Sequence, residues 1–160
     1  MFAIRPIVSP NDLATARTLF REYADSIGVD LCFQDFETEL ATLPGAYHPP
    51  RGALLLAEHA GEAAGCVALR ALEPPAIAEL KRLYVRPSAR GSGLGAALTK
   101  EALNLAREAG YARVRLDTLP TMAGAQAIYR RLGFREVAPY GVHPIPGTLC
   151  MECELARSPR

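Results

Sequence analysis

The chain has 160 residues, 49% of them apolar and 22% charged, with a formal net charge of +1. That composition fits one soluble globular domain over residues 1–160, and a chain of this size buries roughly 68–70% of its unfolded surface. There is no basic block and no apolar run near the roughly 20 residues of a membrane span, so neither nucleic acid nor a membrane is an expected partner.

The opening MFAIRPIVSP lacks the charged-then-apolar pattern of a signal peptide, so a cytoplasmic protein is expected. Within it, FAIRPIV predicts a short strand. Ser9, Pro10 and Asp12 form a helix start: a cap residue, a proline in the first turn and an acid three positions on. Leu13, Ala16, Phe20, Ala24 and Ile27 then recur at helical spacing until Gly28. Residues 33–43 predict a shorter helix, and the Pro- and Gly-rich residues 44–52 a loop. ALLLAEH and GCVALRAL predict two strands of a hairpin, joined by residues 60–64. Residues 77–85 predict a strand that feeds three closely spaced glycines, Gly91, Gly93 and Gly95.

Residues 94–109 predict a helix with Leu94, Ala97, Leu98, Ala102, Leu105 and Ala109 on one face and Gly110 at its end. ARVRLDTL alternates like a strand, residues 121–132 predict a helix ending at Gly133, and residues 134–137 a short strand. A second Pro-rich loop, residues 139–147, precedes a closing strand over residues 148–155. The order β-α-α-β-β-β-α-β-α-β-β implies an α/β chain with a mixed sheet covered on both faces. Cys32, Cys66, Cys150 and Cys153 are too sparse for a disulfide framework. Cys150 and Cys153 have C-x-x-C spacing but fall in a strand, with no second ligand pair, so no metal site is expected.

A flexible turn needs one or two glycines, and each extra one costs roughly 0.5–1 kcal/mol of chain entropy. Three glycines between a strand and a helix suggest close approach of a ligand to the backbone, and a helix N-terminus suits a phosphate. A P-loop is excluded, because Gly95 is followed by Ala96-Ala97 instead of Lys-Ser/Thr. The permissive dinucleotide fingerprint fits Gly91, Gly93 and Ala96, with Asp117 placed as a ribose-binding acid. Against it, five residues separate the strand from the glycines, and the early hairpin leaves no room for further parallel βα units.

The segment ELKRLYVRPSARGSGLGAALTKEAL resembles the acyl-CoA-binding core of the GNAT superfamily of N-acyltransferases. Arg90-Gly91-Ser92-Gly93-Leu94-Gly95 matches the family signature of Arg or Gln, two residues, Gly, one residue, and Gly or Ala. AQAIYRRLGF matches a second family motif, a helix carrying a tyrosine before Leu-Gly-Phe. The resemblance covers nearly the whole chain, and LDTLP with YGVHPIPG is similar to one bacterial subgroup of small single-domain members.

The resemblance implies a mostly antiparallel sheet of six to seven strands, splayed between strands 4 and 5 and flanked by about four helices. It implies acetyl-CoA as acyl donor, with its pantetheine arm on the backbone edge of Leu83, Tyr84 and Val85. The pyrophosphate would then meet Arg90, Gly91, Ser92, Gly93, Leu94, Gly95 and Ala96, with Arg90 either contacting it or remaining a solvated loop charge. The acceptor would be a primary amine on a small molecule or peptide, and homodimers are common in the family.

An alkylammonium with a pKa near 10 costs roughly 4–5 kcal/mol to deprotonate at pH 7, at about 1.36 kcal/mol per unit. Glu79, mid-strand in an apolar setting, is the candidate base, since partial burial would raise its pKa and similar GNAT proteins often carry a glutamate here. A surface salt bridge to Lys81 is the competing role for it. The backbone N–H near Val85 is the family's usual oxyanion donor. Tyr129 is placed like the family's acid, donating a hydrogen bond or a proton to the departing thiolate, and a core aromatic is its other reading. His59 reads as solvated. His48 and His143 lie in the two Pro-rich loops near Tyr47 and Tyr140; those loops either rim an acceptor pocket with Phe33 and Phe36 or simply pack, and His143 is a reserve base. Two other readings remain open at this point: a non-catalytic acyl-CoA sensor and an NAD(P)-binding oxidoreductase.

Overall fold

A computed structural model describes residues 2–28, 35–73, 76–141 and 145–155. Strand β1 (Ala3–Pro6) leads into α1 (Pro10–Ile27), whose N-cap Ser9 accepts the Asp12 N–H and whose end is closed by left-handed Gly28. Helix α2 (Phe36–Thr42) follows. Its predicted start at Phe33 lies outside the described residues, as do Cys32 and His143.

Strands β2 (Ala53–His59) and β3 (Glu62–Glu73) pair through a turn of two residues. Ala60 and Gly61 both take positive φ there, at 52° and 81°. The tight primed turn matches the twist of the strands it joins, so β3 starts earlier than the sequence suggests. Next come β4 (Ile77–Val85), α3 (Leu94–Glu108), β5 (Arg113–Thr118), α4 (Ala123–Arg131), β6 (Arg135–Val137) and β7 (Leu149–Glu154).

The seven strands form one sheet in the order β1-β2-β3-β4-β5-β7-β6. Every neighbouring pair is antiparallel except β4 and β5. This is the mixed, mostly antiparallel sheet expected, and it is no doubly wound dinucleotide fold. Its faces carry separate apolar cores. On one side α3 and α4 cover Leu55, Val67, Leu80, Val114 and Met151. On the other, α1 and α2 cover Leu54, Leu56, Cys66 and Tyr84. The run Ala-Leu-Leu-Leu-Ala of β2 is buried residue by residue because both faces of this central strand are covered.

Two irregularities position the site. The parallel ladder between β4 and β5 holds only three pairs, Ile77 with Arg113, Ala78 with Val114 and Glu79 with Arg115. Beyond Glu79 the two strands diverge, and residues 80–85 have no strand on that side among the described residues. In addition, β4 carries an extra residue. Ala68 is opposite Lys81 while Cys66 is opposite Tyr84, and Arg82 sits at a φ of 61°. A bulge of this kind sharpens the local twist and bends its strand.

Candidate active site

The divergence of β4 from β5 leaves a narrow cavity of about 30 Å³ lined by Leu80, Lys81, Leu83, Asp117, Met122 and Tyr129, among others. Tyr129 reaches it from α4. Its ring is 5% exposed and packs on Phe134 at 5.6 Å, in the core under α3 and α4. The hydroxyl makes no hydrogen bond to any described residue, and burial pushes the phenol well above its ordinary value. Tyr129 thus lines the gap with its phenol proton firmly held.

The glycine loop runs from the end of β4 to the start of α3. Gly91 and Gly93 adopt φ of 80° and 85°, which L side chains resist, and Gly93 is the N-cap of α3 with no side chain capping it. The first N–H groups of a helix have no partner within it, so the turn at Leu94, Gly95 and Ala96 presents donors at the positive end of a 15-residue helix. Gly95 has a different role from its neighbours. A Cβ there would meet Ile128 Cδ1 at 3.1 Å, so its missing side chain lets α4 approach α3. Arg90 turns back, with Nε donating to Val85 O at 3.1 Å, the last carbonyl of β4. Ser92 Oγ donates to Ala89 O within the loop. Arg86 ties the loop's base to α1 through Glu22, at 2.8 Å and 3.0 Å.

On the opposite face of the sheet lies a cavity of about 430 Å³, walled by α2, the Tyr47 loop, β3, β4 and the Tyr140 loop. Glu79 is at its floor, 3% exposed. Its closest cation is Arg70, directly opposite in the β3–β4 ladder, with Nε at 2.8 Å and Nη2 at 2.7 Å from Oε1. Lys81, the partner expected from spacing on one strand, stands at 3.9 Å. Tyr140 donates its hydroxyl to the other oxygen of Glu79 at 2.7 Å. Burial and that carboxylate together hold the Tyr140 proton, raising its phenol far above the ordinary value.

The cavity wall carries four carboxylates, Asp35, Glu39, Glu79 and Asp117, against the two cations Arg70 and Lys81. Glu39 is clamped by Arg82, with two contacts of 3.0 Å. The Arg82 guanidinium is 2% exposed and lies near the rings of Tyr23 and Phe36. Two residues, Lys81 and Asp117, line both cavities and mark the neck where the two approach each other.

The family model described as the acetyltransferase (GNAT) family matches residues 15–134. The chain belongs to this family. An N-acetyltransferase of Schizosaccharomyces pombe, itself uncharacterized, is 40% identical over 157 residues, covering 97% of this chain and 96% of that one. A GNAT-family acetyltransferase of Staphylococcus aureus superposes with a TM-score of 0.80 at 18% identity, covering 98% of this chain and all of the other. A Salmonella typhimurium acetyltransferase solved with its cofactor acetyl-CoA gives 0.75 at 19% identity, over all of this chain and 97% of that one. Family and named relatives make this GNAT chain an N-acetyltransferase.

In this GNAT chain, Tyr47 and Tyr140 line the larger cavity. Phe36 does not, because it is 7% exposed in the core beneath α1 and α2, under the Arg82 guanidinium. His48 is exposed, and His59 packs on the Phe2 ring at the far end of β2. Phe33 and His143 lie outside the described residues. Arg70, Arg82, Glu39 and the hydroxyl of Tyr140 were not singled out by sequence. Arg70 left one signal, a cation inside the apolar run GCVALRAL, whereas Arg82 is one of three charges in β4.

Proposed function

We infer that this N-acetyltransferase moves an acetyl group from acetyl-CoA to a primary amine by direct transfer in a ternary complex. One observation carries the reading: the edge of β4 beyond Glu79, unpaired among the described residues, borders a cavity that shares Lys81 and Asp117 with the carboxylate-rich cavity. The donor would run along the edge of Leu83, Tyr84 and Val85, as an added strand would. Its pyrophosphate would meet the backbone N–H groups of residues 91–96 at the start of α3. The Salmonella neighbour was solved with acetyl-CoA as its cofactor, which supports acetyl-CoA as the donor.

The acceptor enters from the other face. Four carboxylates against Arg70, Lys81 and the Arg82 that clamps Glu39 leave a negative balance that draws an ammonium inward. Glu79 serves as its base, directly or through water, with Arg70 and Tyr140 fixing both oxygens of the carboxylate. A backbone N–H near Val85 meets the developing oxyanion. The Tyr129 hydroxyl stabilises the departing sulfur by hydrogen bonding. Full proton transfer is disfavoured, because burial has raised the phenol above even its usual value near 10, against about 8.5 for a thiol.

The test is a thermal-shift series with acetyl-CoA and NAD(P)H, followed by thiol release over a panel of amines. Acetyl-CoA alone should stabilise the chain, and at least one amine should release CoA-SH. Stabilisation by NAD(P)H alone would overturn the reading. Thiol release unaltered in both Tyr129→Phe and Glu79→Gln would overturn the assigned roles.

A further inference from the structure

Of the 18 lysine and arginine residues in the chain, only two are lysine, Lys81 and Lys100. Lys100 is exposed on the outer face of α3. Lys81 is the opposite case. Its side chain is 12% exposed and sits at the neck, lining the narrow cavity between β4 and β5 and the carboxylate-rich cavity together. The cations on either side of it, Arg70 and Arg82, have each been built as arginine and bound closely to a carboxylate, Glu79 and Glu39. Arginine is always charged, forks onto carboxylates and does not accept an acyl group under ordinary conditions. At the neck the chain places a primary amine instead. Burial is the leading influence on its proton and favours the neutral form. Arg70 and Arg82 push the same way, and Glu79 and Asp117 oppose them.

We propose that Lys81 is itself an acyl acceptor, a self-acetylation site at the neck between the two cavities. The proposal rests on reading the gap between β4 and β5 as the acyl-CoA slot. The neutral Nζ attacks the thioester carbonyl carbon, a C–N bond forms and the C–S bond breaks. The sulfur leaves with the bonding pair and takes up the proton that nitrogen loses on becoming an amide. The proton shed earlier by the ammonium goes to solvent. The balance is one lysine ammonium and one acetyl-CoA to one acetyl-lysine, one CoA-SH and one proton.

An amide does not pass its acetyl group on, so this is an end state and not a relay. It removes a positive charge from the neck and leaves an acetamide standing in it. Both changes slow the transfer to an external amine. An enzyme starved of acceptor and rich in acetyl-CoA would switch itself off.

The chain's composition makes the experiment clean, because Lys100 is an internal control. The folded protein is incubated with acetyl-CoA at neutral pH without acceptor, and both lysines are followed by peptide mass spectrometry. Acetylated Lys81 resists trypsin, so it is read as the peptide over residues 71–82. Lys81 should be acetylated at least about tenfold faster than Lys100, as a positioned amine gains over one reacting from solution. The preference should vanish in the urea-unfolded chain. Lys81→Arg should leave only the slow reaction at Lys100, and thiol release should fall in proportion to the acetyl-Lys81 formed. If acetyl-CoA raises the Tm but Lys81 reacts no faster than Lys100, self-acetylation is wrong and the acetyl-CoA reading stands. If acetyl-CoA neither raises the Tm nor modifies Lys81, both are wrong.

Discussion

Replacing Tyr129 with phenylalanine removes one oxygen and leaves the ring in place. The ring is 5% exposed and keeps its contact with Phe134 at 5.6 Å. The oxygen makes no hydrogen bond to a described residue, so its loss leaves no donor or acceptor behind unsatisfied. Stability should therefore change by no more than about 0.5 kcal/mol, which is a Tm shift of about 1–2 °C in a chain of this size.

Activity should behave differently. A hydrogen bond to a charged group contributes about 1.5–3 kcal/mol, and this one matters only once sulfur carries charge. The expected loss in kcat is about 10- to 150-fold, with KM for acetyl-CoA nearly unchanged. The assay is thiol release at saturating acetyl-CoA with the best amine of a panel, beside a thermal melt of each protein. The wild type should show no alkaline limb from Tyr129 up to about pH 10, because burial raises this phenol above that value. An unchanged kcat would refute the role. So would a kcat loss accompanied by a fall of many degrees in Tm, since the tyrosine would then be acting as a core residue.

Three further outcomes follow from contacts around the site. Glu39→Ala strands the Arg82 guanidinium, which is 2% exposed. It should cost about 3–5 kcal/mol and lower the Tm by roughly ten degrees, read by thermal or urea melts. In Gly65→Ala, the new Cβ would lie 2.6 Å from the Tyr84 carbonyl oxygen and 3.3 Å from Leu98 Cδ1. A backbone oxygen cannot rotate away, so β3 and β4 must part at the end that borders the gap. The expected results are a loss of about 1–3 kcal/mol and a raised KM for acetyl-CoA, and an unchanged KM would count against the β4 edge as donor site. Asp12 takes two contacts from Arg5, at 2.6 Å and 2.9 Å, which hold its carboxyl down at about 2. A folded-state pKa below the unfolded value of about 3.9 gives stability that is complete above pH 4 and lost as pH falls towards 2. Asp12→Asn should flatten stability against pH across that window. It should cost about 1–2 kcal/mol at neutral pH, a figure reduced for screening because the Arg5 side chain is 41% exposed.

Much of this was readable in the sequence because it is local. Helical spacing, caps and the hairpin placed every element in the right order. The Arg90–Gly95 motif falls at the loop and first turn of α3, and the Tyr129 motif on α4, where Tyr129 lines the gap. The larger cavity was harder to read because its geometry is set across strands. Arg70 meets Glu79 only through the β3–β4 register, which shifts on both sides of that pair. Tyr140 reaches Glu79 across 61 positions of chain. The three glycines, alike in the sequence, divide into two that need left-handed backbone and one that makes room for Ile128.

The bulge at Arg82 left a trace in the sequence that strict alternation overlooks. In AIAELKRLYV the residues that join the core under α3 are Ala78, Leu80, Leu83 and Val85, spaced two, three and two. The step of three marks the extra residue. With perfect alternation Arg82 would have pointed with Leu80 into that apolar core, where an uncompensated guanidinium costs several kcal/mol. Holding it at a φ of 61° costs roughly 1–3 kcal/mol and turns it to Glu39 instead, so the strained conformation is the cheaper one. The same insertion turns Arg82 to the α1 and α2 side of the sheet beside Lys81 and adds twist to β4 just past its last pairing with β5. The added twist of β4 beside the gap and the escape of Arg82 from the apolar core thus trace to a single inserted residue, and a sequence of this family can be searched for it by that change in apolar spacing.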